Sequence, residues 1–215
     1  MSGFWALLRK DLLVESRARD LLPSMAVLAL LLLAVTGAAG VGAPGAPAML
    51  WVTVAVTCAL GLLRSFQQET DRDQLHGLRL AGVDPAVLYL AKAAANFVVV
   101  ATVEIIALGA VTVFFGISIP PRPALPAVLL LGTSSLVASG TLLGGMLAAS
   151  RMREVLLPVL LLPLSAPAVI AAAGATARLL SPEGGSVAGE IGLLLAFTTL
   201  FVAVAVLVFE HVVEE

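Results

Sequence analysis

Long runs of apolar residues, separated by short polar segments, dominate the chain. Each run is close to the roughly 20 residues that an α-helix needs to cross the hydrocarbon layer of a membrane. Clustered glycine and proline over residues 37–47 divide the first long run into two, because both residues interrupt a helix. The pattern predicts six membrane-spanning helices, near residues 21–40, 48–63, 96–117, 124–149, 155–177 and 191–209.

The fifth predicted span contains three prolines, Pro158, Pro163 and Pro167. Proline has no backbone N–H and its ring clashes with the preceding turn, so it bends or breaks a helix. We therefore expect this span to be kinked or broken, with residues 171–175 forming a re-entrant turn, which is tolerated where it is buried in protein.

Polar chain is concentrated in two segments. The first is the N-terminal segment, residues 1–20, where Phe4, Trp5, Leu8 and Leu12 fall on one side of a helix. This pattern is typical of a helix that lies in the membrane interface with its tryptophan at headgroup depth. The alternative is a flanking anchor that only fixes the orientation of the first span.

The second polar segment is the loop at residues 64–92, which holds the densest charge in the chain. Its first half, residues 67–79, is expected to form a short helix that ends before Gly82. Asp84 and Pro85 suit the N-cap and first turn of the next helix. Such a loop could receive force from a partner, and the alternative is a solvated charged loop.

Composition supports lipid as the solvent: 60% of the 215 residues are apolar and 12% are charged, about half the usual charged fraction. Ten of the 12 Lys and Arg residues fall on one side of the predicted spans. By the positive-inside rule, both termini of this multi-pass chain are expected to face the cytoplasm. The net charge of −2 gives no reason to expect a nucleic-acid partner.

Two features stand out within the predicted spans. Glu104 lies in an apolar run, and an intramembrane carboxyl is costly unless protonated or partnered, which makes it a functional candidate. The alternative is a structural hydrogen bond to a neighbouring helix. Gly140 and Gly144 form a G-x-x-x-G pair, which favours close helix packing.

Catalytic signatures are missing from the sequence. It contains no G-x-x-x-x-G-K-[ST] loop for ATP and no H-E-x-x-H metal motif. His76 and His211 fall on different elements, so no metal site is expected. The sequence therefore predicts a non-catalytic membrane subunit that is powered from elsewhere.

The loop sequence resembles a known family. Phe66–Lys92, FQQETDRDQLHGLRLAGVDPAVLYLAK, is similar to the loop of haem exporter protein B, CcmB, a permease subunit of type-2 ABC exporters in cytochrome c maturation. Asp73 stands where a glycine is usual in the family, and Arg72 where an acid is common. The residues that fit the family pattern are Phe66, Glu69, Leu75, Leu78, Leu80, Pro85 and Lys92.

The resemblance implies an all-α membrane protein of six spans, arranged as in type-2 ABC exporter permeases, with an N-terminal interfacial helix. It also implies a CcmA-like ATPase subunit beneath the loop, a CcmC-like haem-handling subunit and a permease dimer. No cofactor is expected to bind directly; haem would be a handled ligand, and ATP would act through the partner.

The expected ATPase-coupling residues are Phe66, Glu69, Asp71, Arg72, Asp73, Leu75, His76, Leu78 and Lys92. Phe66 and Leu75 are expected to fill a groove of the ATPase, because buried aromatic and aliphatic anchors dominate binding energy. The acidic residues would meet basic residues at the rim of that groove. Alternative functions are an exporter permease for another substrate, such as a lipid or drug, and a non-transporting membrane scaffold.

Overall fold

A computed structural model describes residues 2–18, 21–70, 85–148, 150 and 152–212, and this part of the chain is all-helical with no strand. One 3-10 turn, Ala43–Gly45, precedes the third helix. The α-helices are α1 (Ser2–Ala18), α2 (Leu21–Ala38), α3 (Ala46–Thr70), α4 (Pro85–Phe115), α5 (Ala124–Met146), α6 (Arg153–Leu180) and α7 (Ala188–Val212).

Six of these helices, α2 to α7, are long and apolar enough to cross a membrane. The predicted fold class is therefore confirmed: six candidate spans follow one N-terminal helix. The orientation of the termini relative to the membrane stays a prediction.

The structure extends the helix before the charged loop and agrees with the expected start of the helix after it. Helix α3 runs on to Thr70, beyond the predicted span end near residue 63, whereas α4 begins at Pro85, the residue expected in its first turn. A run of apolar residues marks where the hydrocarbon layer ends, whereas the backbone continues its hydrogen-bonded ladder into the polar region. Residues 71–84, which hold most of the charged loop, lie outside the described residues.

The fifth span was expected to be kinked or broken, and the expected break is wrong. Helix α6 continues without interruption over 28 residues, with Pro158, Pro163 and Pro167 inside it. Residues 171–175, expected as a re-entrant turn, are part of the same helix. Membrane helices tolerate proline because neighbouring helices and local adjustments satisfy the freed carbonyl groups.

Two central helices organise the bundle. Helix α3 packs against α2, α4, α5 and α6, and α5 packs against α3, α4, α6 and α7. In the most apolar stretches of α3 and α5, 67% of the residues are buried, compared with 11% in α7. We call the end where α3 stops and α4 starts the loop end, and the opposite end the hairpin end.

The N-terminal helix α1 packs chiefly on α4. Its buried apolar residue is Leu7, whereas Trp5 is 65% exposed and stacks edge-on against Phe4, with ring centroids 5.7 Å apart. Helix α4, which follows the charged loop, therefore packs against the N-terminal helix as well as against the other spans.

Arginine side chains close the hairpin end. Arg122, in the segment between α4 and α5, donates hydrogen bonds to the backbone carbonyl oxygens of Arg178, Ser181 and Pro182 at 3.0–3.3 Å. Arg178 also forms an ion pair with Glu190 at 2.6 Å. Guanidinium groups bind the last carbonyl groups of a helix favourably. The Arg122 contacts therefore hold the end of α6 to the segment between α4 and α5, and the Arg178–Glu190 pair holds it to the start of α7.

Candidate functional site

Near the loop end, the side chain of Phe66 on α3 packs into a notch in the surface of α5 at Gly144. A Cβ atom at Gly144 would overlap the aromatic ring of Phe66, so only glycine leaves room for that ring. One turn earlier, Gly140 makes room for Leu62 in the same way. These two glycines thus lie in the α3–α5 contact, where small residues permit close approach of the helices.

A lysine from α4 completes this contact. The Nζ atom of Lys92 lies 5.3 Å from the centroid of the Phe66 ring, within the range of a cation–π interaction. Both side chains are buried, with 7% of Lys92 and 6% of Phe66 exposed. An ammonium group on an aromatic face is worth more when it is removed from water, so this contact joins α3 to α4.

Two further polar side chains of α4 reach α5. The hydroxyl group of Tyr89 donates a hydrogen bond to the carbonyl oxygen of Ala138 at 3.1 Å, and the amide of Asn96 donates to the hydroxyl oxygen of Thr141 at 3.3 Å. Tyr89 and Asn96 flank Lys92 at helical spacing, so the three side chains share one face of α4. That face is fixed to α5 along two turns.

The last turns of α3 also contact α2 and α6. Arg64 donates a hydrogen bond to the hydroxyl oxygen of Ser24 at 3.4 Å, and Gln67 donates to the carboxylate oxygen of Glu154 at 2.8 Å. The last turns of α3 therefore contact α2, α4, α5 and α6. We call the residues of these contacts, together with those of the neighbouring α4–α5 contacts, the foot cluster: Ser24, Arg64, Phe66, Gln67, Tyr89, Lys92, Asn96, Thr141, Gly144 and Glu154.

The foot cluster flanks the charged loop on both sides, since α3 ends at Thr70 and α4 starts at Pro85. Hydrogen bonds, aromatic packing and a buried charge thus join the two helices that precede and follow residues 71–84 to each other and to α2, α5 and α6.

The structure changes the expected role of Phe66. Its ring packs inside the chain against Gly144 and Lys92, so it is not presented to a groove of the ATPase. Glu69 lies in the last turn of α3. The remaining predicted coupling residues lie outside the described residues: Asp71, Arg72, Asp73, Leu75, His76 and Leu78.

Glu104, the predicted intramembrane candidate, lies inside the bundle with 4% of its surface exposed. Thr133 of α5 donates a hydrogen bond to its Oε2 atom at 2.6 Å. The other carboxyl oxygen, Oε1, is buried and has no hydrogen-bond partner among the described residues. The carboxyl group therefore joins α4 to α5 through one oxygen only.

Trp51, which the sequence pattern does not mark as a candidate, is fully buried in α3 towards the hairpin end. Its ring occupies the space that a Cβ atom at Gly132 would need, and its Nε1–H donates to the hydroxyl oxygen of Thr176 at 2.9 Å. The spacing of Gly132, Gly140 and Gly144 along one face of α5 was the signal that large α3 side chains would pack there.

Comparison with known proteins agrees with this architecture. The family described as CcmB protein matches residues 2–215, essentially the whole chain. A search of curated proteins gave no match. Because the family match extends over all six candidate spans, the fold and the family support a multi-pass protein of the bacterial inner membrane. The chain belongs to the CcmB protein family.

Proposed function

We propose that this chain is the membrane-spanning permease subunit of an ABC transporter complex that exports or delivers haem during cytochrome c maturation, with ATP hydrolysed by a separate subunit. The whole-chain match to the CcmB protein family carries the proposal. The six candidate spans and the lack of a nucleotide-binding loop in the sequence are in keeping with it, because a permease of this kind receives work from another subunit.

The foot cluster supports a route for that work. A CcmA-like ATPase would contact the predicted coupling loop, in which Glu69 and Leu75 are two of the expected contact residues. Closure of an ATPase dimer is a rigid-body motion, so it moves the bundle only if the loop is stiffly tied to its helices. Phe66 and Lys92 supply that tie from inside the chain.

Three further partners belong to the proposal. A CcmC-like membrane subunit would handle haem, a second copy of the permease would complete the transport unit, and lipid would cover the exposed apolar faces. Haem is the cargo of the complex in this proposal, and no cofactor is assigned to the chain itself. With both termini in the cytoplasm, the loop end faces the ATPase, and the hairpin end faces the periplasm.

Co-purification from membranes tests the proposal. The tagged chain should retain an ATPase and a haem-handling subunit, and Leu75→Asp should abolish ATPase retention because it places a charge on an apolar anchor. Ile119→Asp is the matched control, since it makes the same kind of change in a hairpin-end segment and should retain the ATPase. Asp71→Ala should weaken retention only modestly.

Two results would contradict the proposal. Retention of the ATPase by Leu75→Asp at the level of the unchanged chain, with normal ATP turnover, would show that the loop is not the coupling element. Maturation of cytochrome c at a normal level in cells that lack this chain would show that its cargo is not haem. An exporter of lipid or drug would give the second result without the first.

A further inference from the structure

The carboxyl group of Glu104 has no part in the proposed coupling route. Along the chain it lies 11 residues from the end of α4 at Phe115, and Thr133 lies nine residues from the start of α5 at Ala124. At about 1.5 Å per helical residue, both side chains lie well inside the apolar part of the bundle. A charged carboxylate at such a depth costs several kcal/mol unless it is paired.

Hydrogen bonding distinguishes the two forms of this carboxyl group. An ionised carboxylate accepts hydrogen bonds at both oxygens, and a buried oxygen without a donor pays its full desolvation cost. Only Oε2 has a partner, the hydroxyl group of Thr133 at 2.6 Å, whereas Oε1 has none among the described residues. A neutral acid fits this arrangement better, because a protonated Oε2 would donate to the hydroxyl oxygen of Thr133 over the same 2.6 Å contact and leave only the carbonyl oxygen Oε1 without a partner.

No ion pair joins Glu104 to a charged side chain in the described part of the chain. Helices α2 and α5 contain no charged residue, and Glu190 of α7 is paired with Arg178 at the hairpin end. Lys92 lies 12 residues away on α4 itself, in the foot cluster. The other titratable residues on helices packed against α4 are Arg9, Lys10, Asp11, Glu15 and Arg17 of α1, Cys58, Arg64 and Glu69 of α3, and Glu210 and His211 of α7.

We propose that Glu104 is a proton-binding site that the closed α4–α5 contact keeps loaded. When α4 separates from α5, water reaches the carboxyl group and takes its proton, leaving a hydrated carboxylate and a hydronium ion. The contact closes again only after a proton returns, because an ionised Glu104 would otherwise be buried beside a single donor. Binding of one proton and closure of the α4–α5 contact are therefore thermodynamically linked.

This inference rests on the proposed function only for the step that opens the contact. The loaded state is a property of the resting chain and is testable without ATP. Infrared spectroscopy of the complete complex in lipid nanodiscs detects the carbonyl stretch of a neutral carboxylic acid. We expect such a band at neutral pH, its loss in Glu104→Gln, and its shift to higher frequency in Thr133→Val, which removes the hydrogen bond.

Glu190→Gln is the matched control, since that carboxylate is ion-paired with Arg178 and its loss should leave the band unchanged. Absence of the band from the complex, or a band that persists in Glu104→Gln, would overturn the proposal. Glu104→Gln keeps the shape of the side chain and a hydrogen bond to Thr133, so this variant is expected to assemble.

The release step has its own readout. Trapping the complex with ATP and orthovanadate should diminish the Glu104 band in the unchanged chain, and the difference signal should be missing in Glu104→Gln. A trapped complex with an undiminished band would overturn proton release. A resting band in a complex that never hydrolyses ATP would instead contradict the proposed function and leave the loaded proton site standing.

Discussion

Helix α3 packs an aromatic ring on a glycine of α5 at two places, and the two contacts differ in what holds them. Towards the hairpin end, Trp51 lies on Gly132 and donates its N–H to Thr176 of α6. At the loop end, Phe66 lies on Gly144 beneath the ammonium group of Lys92 from α4. The same steric device thus joins α3 to different neighbours at its two ends.

We call the Trp51 contact the anchor and the Phe66 contact the junction. Trp51 is completely buried and is fixed by a directional, neutral hydrogen bond, which holds α3, α5 and α6 in one arrangement. Phe66 is held by the buried ammonium group of Lys92 on α4, close to where the charged loop leaves the bundle. We infer that the Trp51 contact stabilises the bundle, whereas the Phe66 contact transmits motion into it.

The largest effect is expected at the Trp51 anchor. Trp51→Ala should lower the free energy of unfolding by about 3–5 kcal/mol, because it removes a fully buried ring and leaves a cavity. Trp51→Phe keeps most of the volume and should cost much less, since Thr176 still donates its own hydrogen bond to Ala172. Reversible unfolding in mixed micelles measures both values, and equal losses would show that packing is not the main contribution.

Gly144→Leu should give the next largest effect. The new side chain would overlap the Phe66 ring, and overpacking of this kind typically costs about 1–3 kcal/mol. Gly109→Leu is the matched control, because a Cβ atom at Gly109 meets no other side chain or distant backbone atom within 4 Å. Thermal unfolding in detergent should separate the two variants, and equal melting temperatures would contradict the notch at Gly144.

Thr176→Val tests the hydrogen bond of the anchor. It removes the oxygen that accepts from Trp51 and leaves a buried donor unpaired, at a cost of about 1–3 kcal/mol. Thr102→Val is the control, because that hydroxyl group binds only the carbonyl oxygen of Val98 in its own helix. If both variants unfold at the same denaturant concentration, the indole hydrogen bond contributes nothing to the difference between the two contacts.

The smallest effect is expected from the cation at the junction. A double-mutant cycle of Lys92→Met and Phe66→Leu should give a coupling energy of about 1–2 kcal/mol in unfolding, above the value for exposed cation–π pairs because both side chains are buried. Lys92→Arg should keep most of this energy, since a guanidinium group also stacks on aromatic rings. A coupling energy of zero would mean that the ring and the ammonium group are merely neighbours.

The sequence predicted the number of spans because long apolar runs with almost no charge, one of them divided by glycine and proline, are a strong signal in a short chain. It placed the end of α3 too early, because the charged Arg64 ends the apolar run although the helix continues to Thr70. It placed the start of α4 correctly, because Asp84 and Pro85 are typical of the beginning of a helix. The prolines of α6 predicted a break that the structure lacks, because helix propensities measured in water undervalue the backbone hydrogen bond in lipid.

The sequence also marked Phe66, Lys92, Glu104 and Gly144 as candidates, but not how they meet. Their contacts join residues up to 78 positions apart, as from Phe66 to Gly144, and no local pattern specifies such a pairing. Trp51 was missed because an aromatic residue near the end of a predicted span is typical of the membrane interface. Its burial depends on Gly132, which only the packed bundle brings to it.

We propose that ATP hydrolysis by the partner moves the loop, and that the Phe66 junction transmits this motion to the hairpin end. The most direct test of this proposal places a single cysteine at Ile119 in a Cys58→Ala background and measures labelling by a membrane-impermeant thiol reagent. The assembled complex is compared without nucleotide and after trapping with ATP and orthovanadate.

Trapping is expected to change the labelling rate at Ile119→Cys. With Gly144→Leu added, the ATPase should remain bound but the labelling rate should no longer respond to ATP. An unchanged rate in the parent complex with the ATPase bound, or an undiminished response in the presence of Gly144→Leu, would exclude transmission through the Phe66 contact.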